Sequence, residues 1–347
     1  MSTTVGALGT GLGGGVELTL QNISNALRQQ GHHITIVAPS GSQLGDLPIV
    51  QISGQLQISA QTQERTEAVT LPADAVLANM WAYACEVQDQ YDLLLNYAYD
   101  WLPLYLTPFF RRPIAHLISM GSLSDAMDQV IQQVGTRFPG TIGVHSRAQA
   151  ATFADGDGYR VLGNGLDLSL YEFCPDYDNS LGWVGRIAPE KGLEDAIAAA
   201  DRANLPLTIW GTMPDPDYWQ QIQRAHPQAR VDYRGFLPTA RLQSELRHCK
   251  GLLMTPKWIE AFGNVAIEAL ACGVPVIAYR RGGPAEIVTD GKTGWLVPPD
   301  SVEGLAEAIA HLDQIDRAAC RQYIEAEYSM AAMGKRVEQW LMDILHA

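Results

Sequence analysis

The first 175 residues contain no lysine. Seven arginines there face fifteen aspartates and glutamates, so this stretch carries about −8 of the chain's net −14. Such a surface repels nucleic-acid phosphates and anionic headgroups, so neither nucleic acid nor a membrane surface is expected as a partner. Cysteine is sparse: Cys85, Cys174, Cys249, Cys272 and Cys320 are scattered, odd in number and form no C-x-x-C pair. That argues against a disulfide frame or a zinc site and fits a reducing compartment. No apolar run approaches the roughly 20 residues that span a bilayer. The opening MSTTVGALGTG has neither a basic start nor an apolar signal core, so a cytoplasmic location is expected. Low-complexity tracts and short-period repeats are also missing.

What is present is a 347-residue chain, 47% hydrophobic. That suits two domains of about 150–200 residues each. The glycine-rich run Gly11 to Gly15 precedes a helix expected over 16–30. Strands are expected over 34–38, 49–52, 93–95, 114–118, 142–144 and 159–162, with helical stretches or loops between them. Only five residues precede Gly6, so either the first strand of this series is incomplete or the true start lies earlier. A polar linker follows around 166–179. A second alternating series then begins, with strands over 180–184, 207–210, 230–233, 251–255, 276–279 and 294–297. Helices are expected over 193–203, 242–249 and 302–312, with another between Gly263 and Gly273. An amphipathic helix over 328–347 ends the chain. Strands alternating with helices imply parallel, doubly wound sheets, and two such halves leave a cleft between them.

The stretch EAFGNVAIEALACGVPVIAYRRGGPAEIVTDGKTG, 260–294, holds the densest chemistry. Glu260 precedes a short helix, and Glu268 rides inside it. The helix N-terminus is an anion site, and Gly263 leaves room for a ligand to approach. A phosphate site flanked by two carboxylates suits a phosphate between two polyols, the layout of a nucleotide-sugar. GRIAPEKG, 185–192, adds two cations between a strand and a helix. Arg186 offers a bidentate fork and Lys191 a point charge, together suited to a diphosphate. Two solvated surface cations paired with Glu190 are the plainer alternative. Gly13, Gly14 and Gly15 supply either phosphate-binding N–H groups or a flexible turn. Asn164 to Asp167 reads as an Asx turn or a ligand contact. Arg234 to Leu237 reads as a strand-end turn or the frame of a base pocket. His116 lies within an apolar strand, as a core histidine or a group pointing into the cleft. The Asp155–Asp157 and Asp215–Asp217 pieces read as turns, and no metal is placed there.

Together, GRIAPEKG, the Glu260/Glu268 pair and GGPAEIVTDGKTG (282–294) resemble the retaining family 4 glycosyltransferases. The likeness extends over nearly the whole chain through the glycine loop and NGLD at 164–167. The resemblance implies the GT-B fold: two Rossmann-like doubly wound parallel-sheet domains facing a central cleft. Residues 1–172 would bind the acceptor, 173–326 the nucleotide-sugar, and 327–347 would return as a helix to the first domain. It further implies that Arg186 and Lys191 neutralise the diphosphate leaving group. Glu260, with the backbone of Ala261, Phe262, Gly263 and Asn264, would hold the sugar hydroxyls. Glu268 would accept from the ribose, Arg234 would lie on the donor side, and Gly14 and Gly15 would approach the phosphate. Many members carry a histidine near the end of the strand matching 114–118. Here Ser119 or Met120 stands at that place and His116 about three residues early, so His116, Ser119 and Asp100 are the acceptor-side candidates.

The opening STTVGALGTGLGGGVELTL resembles the pterin glucosyltransferases. That implies UDP-glucose as donor and a small soluble acceptor such as tetrahydrobiopterin, with an alpha-glycoside as product and neither cofactor nor metal. The competing readings are family 4 transfer to another acceptor, a non-catalytic nucleotide-sugar-binding partner, and a dinucleotide oxidoreductase. The last lacks a G-x-G-x-x-G after a complete strand.

Overall fold

The structure, a computed structural model, describes residues 1–11, 14–58 and 64–347. It divides into two compact units. One comprises Met1–Gly165 with Met330–Ala347, and the other Leu166–Ser329.

The N-terminal unit runs α1 (Gly15–Gln29), β1 (Ile36–Pro39), β2 (Ile49–Ile52), α2 (Val76–Val87), β3 (Leu94–Asn96), α3 (Trp101–Leu106), β4 (Ile114–Leu117), α4 (Asp125–Arg137), β5 (Ile142–Val144), α5 (Arg147–Ala150) and β6 (Arg160–Val161). β1 and β2 pair in parallel, and β3-β4-β5-β6 form a four-stranded parallel sheet. Met1–Thr4 run between β1 and β3: Ser2 N donates to Val37 O at 2.9 Å, and Tyr97 N donates to Met1 O at 3.0 Å. The residues before the glycine loop thus occupy the place of a first strand over a short length.

The second unit continues with β7 (Leu181–Val184), α6 (Leu193–Arg202), β8 (Leu207–Trp210), α7 (Pro216–Ala225), β9 (Val231–Gly235), α8 (Thr239–Leu246), β10 (Gly251–Met254), α9 (Asn264–Ala271), β11 (Val276–Tyr279), α10 (Pro284–Ile287), β12 (Gly294–Val297), α11 (Val302–Ala310) and α12 (Arg317–Glu327). Its sheet is parallel in the order β12-β11-β10-β7-β8-β9. α13 (Met330–Leu345) then belongs to the N-terminal unit, where Met333, Val337 and Trp340 pack against Leu20, Ile23 and Leu27 of α1.

Most expected strands form where they were read, because buried parallel strands carry continuous apolar runs. Several helices were not anticipated, among them α7, α3 and α12. Asp215-Pro216-Asp217 is not a free turn but the start of α7: Asp215 caps it by accepting from Asp217 N and Tyr218 N, with proline at the first helical position. α3 contains Pro103, and α12 buries only Arg317, Cys320 and Ile324.

Strand order in the second unit fixes where its chemistry lies. From β7 the chain moves outward through β8 to β9, then returns to the other side of β7 as β10. The reversal falls between β7 and β10, and ligands of open parallel sheets bind beyond the strand C-termini at such a point.

Candidate functional site

Loops 185–192 and 255–263 leave the C-terminal ends of β7 and β10, on either side of this reversal. They are stitched together. Lys257 N donates to Glu190 O at 2.9 Å, and the buried Thr255 hydroxyl donates to Gly192 O at 2.8 Å. Gly192 has φ of +62°, and a Cβ there would stand 2.2 Å from Thr255 O. Only glycine lets the loops meet so closely. Further braces come from Lys257, 2.9 Å from Glu194 Oε1, and from Arg281 Nη1, which donates to Pro256 O at 3.0 Å.

The bracing brings Lys191 to Glu260, with Nζ and Oε2 2.5 Å apart and both side chains largely covered. Trp258 Nε1 donates to the same Oε2 at 3.0 Å, and the Lys191 ammonium sits 5.0 Å from the Trp258 ring centroid. Arg186 pairs with Glu190 four residues on. Each of the two expected phosphate-binding cations therefore carries a carboxylate counter-ion in the free chain.

α9 opens directly after this loop, without a side-chain cap, so the positive end of its dipole follows Glu260. Gly263 precedes it with φ of +95°. A Cβ there would meet Pro284 Cγ at 2.9 Å. The left-handed backbone and Pro284 packed against it both call for glycine at this position. Phe262 is buried, with its ring 5.9 Å from that of Tyr328. Ala261 precedes it and Asn264 opens α9, and Glu260 O accepts from Gly283 N at 2.8 Å, tying the Gly282-Gly283 turn to this loop.

Glu268 lies one turn into α9, 8% exposed, where Gln243 Nε2 donates to its Oε2 at 3.3 Å. Burial pushes its pKa up to about 7, against the pull of the Gln243 bond. Arg234 sits exposed on β9 and pairs with Asp232 at 2.7 Å. Among the described residues it is hydrogen-bonded to no other candidate.

In the N-terminal unit, Gly14 and Gly15 are exposed at the start of α1, while Gly13 lies outside the described residues. Glu17, in the first turn, accepts from Gly9 N at 2.7 Å, which puts a carboxylate beside the donors expected to meet phosphate. Asp100 caps α3, with one oxygen accepting from Leu102 N and the other from Gln57 Nε2. Burial raises its pKa. Ser119 is half-buried just past β4.

His116 is fully buried and has both ring nitrogens engaged. Asn96 Nδ2 donates to Nδ1 at 3.2 Å. Thr107 gives its own proton to Pro103 O, so it accepts from Nε2–H at 2.9 Å. Burial lowers the imidazole pKa to about 3. The acceptor-side expectation for His116 is therefore corrected: it is a neutral core histidine that ties β3, β4 and α3 together.

Sequence reading missed Trp258, Gln243 and Lys257. Trp258 stands two residues before Glu260, but only the folded loop aims its N–H at that carboxylate. Among the described residues, no helix is long and apolar enough to cross a membrane.

Residues 174–330 match the family model described as "Glycosyl transferases group 1". The chain is 34% identical over 172 residues to glycogen synthase of Mycobacterium tuberculosis, covering 47% of this chain and 41% of that protein. It is 35% identical over 149 residues to the GDP-mannose-dependent alpha-mannosyltransferase of Mycolicibacterium smegmatis, covering 40% and 36%. The chain thus spans less than half the length of these curated relatives. Among solved structures, Anabaena HepE in complex with UDP and glucose superposes with a TM-score of 0.76 at 20% identity, over 97% of this chain and 98% of that one. Sucrose-phosphate synthase from Thermosynechococcus elongatus gives 0.77 at 21%, over 96% and 94%. Both likenesses speak to the fold. Residues 174–330 are thus similar to the glycosyl transferases group 1, within a chain that has the GT-B fold.

Proposed function

We propose that the chain transfers a hexose, glucose from UDP-glucose, to a small soluble acceptor of the reduced-pterin class, giving an alpha-glycoside. The observation that carries this reading is the convergence of Lys191 and Glu260 where the sheet reverses, with Arg186 on the same loop as Lys191. A cation and a carboxylate in contact suit a donor that offers a diphosphate next to a sugar's hydroxyls.

Arg186 and Lys191 stabilise negative charge as the anomeric C–O bond to the diphosphate breaks, which is the main electrostatic demand of the reaction. Both carry carboxylate partners in the free chain, so donor phosphates compete with Glu190 and Glu260 for them. Their charge serves where other enzymes use a metal, and none is assigned. Glu260 accepts from sugar hydroxyls and Glu268 from the ribose, while the N-terminal unit holds the acceptor, with Asp100 and Ser119 its remaining candidates. The acceptor oxygen bonds the anomeric carbon on the face the diphosphate leaves, and a phosphate oxygen takes the acceptor's proton, so configuration is retained. The Lys-free acidic N-terminal stretch agrees with an uncharged acceptor.

Thermal shifts with UDP-, ADP- and GDP-sugars test the donor. Product mass after incubation with UDP-glucose and tetrahydrobiopterin tests the acceptor. Stabilisation by UDP-glucose and a hexosylated pterin are expected. Stabilisation without UDP release would mark a binding partner instead, and no stabilisation by any of them would overturn the reading.

A further inference from the structure

We infer that Trp258 is a positioning residue that sets which oxygen of Glu260 meets the donor sugar. Both donors on this carboxylate, Lys191 Nζ at 2.5 Å and Trp258 Nε1 at 3.0 Å, converge on Oε2. Among the described residues, none donates to Oε1. One oxygen is thus anchored twice and the other is left for ligand hydroxyls. A carboxylate held by a flexible lysine alone can rotate about its terminal torsion, which has broad wells. A second donor of fixed direction, on a rigid indole, removes that freedom. The same indole stands under the lysine, 5.0 Å from ring centroid to Nζ, so one side chain orients both members of the pair.

Trp258 is half-buried. Its N–H is aimed at Glu260 and its ring face at Lys191. It does not touch the donor in this scheme, but acts through Glu260.

The inference rests on the proposed sugar contact of Glu260, and its test separates the two. Binding of UDP-glucose and of UDP is measured by calorimetry for the wild type, Trp258→Phe, Glu260→Gln and the double variant. Phenylalanine keeps a ring under Lys191 and removes only the N–H. Trp258→Phe should weaken UDP-glucose roughly ten- to a hundredfold, the usual consequence of losing a hydrogen bond to a charged group, and leave UDP unchanged. In the Glu260→Gln background the same substitution should add nothing, which a merely structural role would not produce. Unchanged UDP-glucose affinity in Trp258→Phe, an equal loss for UDP, or full additivity in the double variant would each overturn the inference. A wild type that binds neither ligand overturns the reading of the site itself, and the inference with it.

Discussion

Lys191 and Glu260, 69 residues apart in the chain, meet at 2.5 Å across the reversal between β7 and β10. Their side chains are 23% and 19% exposed. About a fifth of each side chain stays in contact with solvent, so the pair contributes little to stability; removing the cation should leave the fold intact. Lys191→Met is expected to unfold within a few degrees of the wild type while hexose-transfer turnover falls about a hundred- to a thousandfold. Thermal unfolding and steady-state UDP release measured together would check this. Retained turnover would remove Lys191 from the mechanism.

Glu268 should make stability and donor binding depend on pH in opposite senses. Its folded pKa is raised from 4.5 to about 7. Between those values the folded chain keeps a proton that the unfolded chain has lost, so stability contributed by this group falls as pH rises through the window. The full effect above pH 7 is about 3 kcal/mol. Glu268→Gln should therefore unfold at higher denaturant than the wild type at pH 8, with the difference vanishing near pH 4.5. In the proposed donor complex ribose hydroxyls donate to the ionised form, so UDP affinity of the wild type should rise from pH 5.5 to 8, and the glutamine variant should bind UDP weakly throughout. Chemical denaturation and UDP titrations at several pH values decide it.

Gly192→Ala should be damaging out of proportion to one methyl group. The residue has φ of +62°, and the new Cβ would press on Thr255 O. Left-handed backbone at a non-glycine residue costs of order 1–3 kcal/mol before that clash. The urea midpoint should fall and Lys191, the preceding residue, should lose its place beside Glu260. A variant with wild-type stability and turnover would show that the two loops are not held as described.

His116 should stay neutral across the whole physiological range. Its pKa is lowered to about 3 by burial. The chemical shift of its ring Cε1–H should not titrate between pH 5 and 8, whereas an acceptor-side acid–base histidine would titrate near 6.5. Below pH 6.5 the unfolded chain binds a proton here that the folded chain refuses, so this group weakens the fold as pH falls toward 3.

The strands and the cationic loop were legible because their signals are local. VIAY at Val276–Tyr279 is apolar throughout, and GRIAPEKG sets two cations between a strand and a helix. α7 and α12 were hidden for physical reasons. Asp215-Pro216-Asp217 has the composition of a turn, and only the capping bonds make it a helix start. α12 spends two arginines on backbone carbonyls, Arg317 to Cys174, Cys249 and Arg247, and Arg321 to Tyr171 and Ala271. No apolar period advertises such a helix. In the site, residue identities were readable, and so was Glu190 as a local partner for Arg186. Trp258 on Glu260 and Gln243 on Glu268 depend on where loops and helices pack. His116 shows the converse: its type suggested chemistry, and its neighbours Asn96 and Thr107 make it structural.

The most direct test is hexose transfer from UDP-glucose by the wild type and by Arg186→Ala, with UDP release and product mass followed in the same reaction. The wild type should release UDP in step with a hexosylated acceptor, and the variant should fold normally with turnover reduced at least about a hundredfold. Wild-type-like transfer by Arg186→Ala, or UDP bound but never released from UDP-glucose by the wild type, would contradict the assignment of this site to glycosyl transfer.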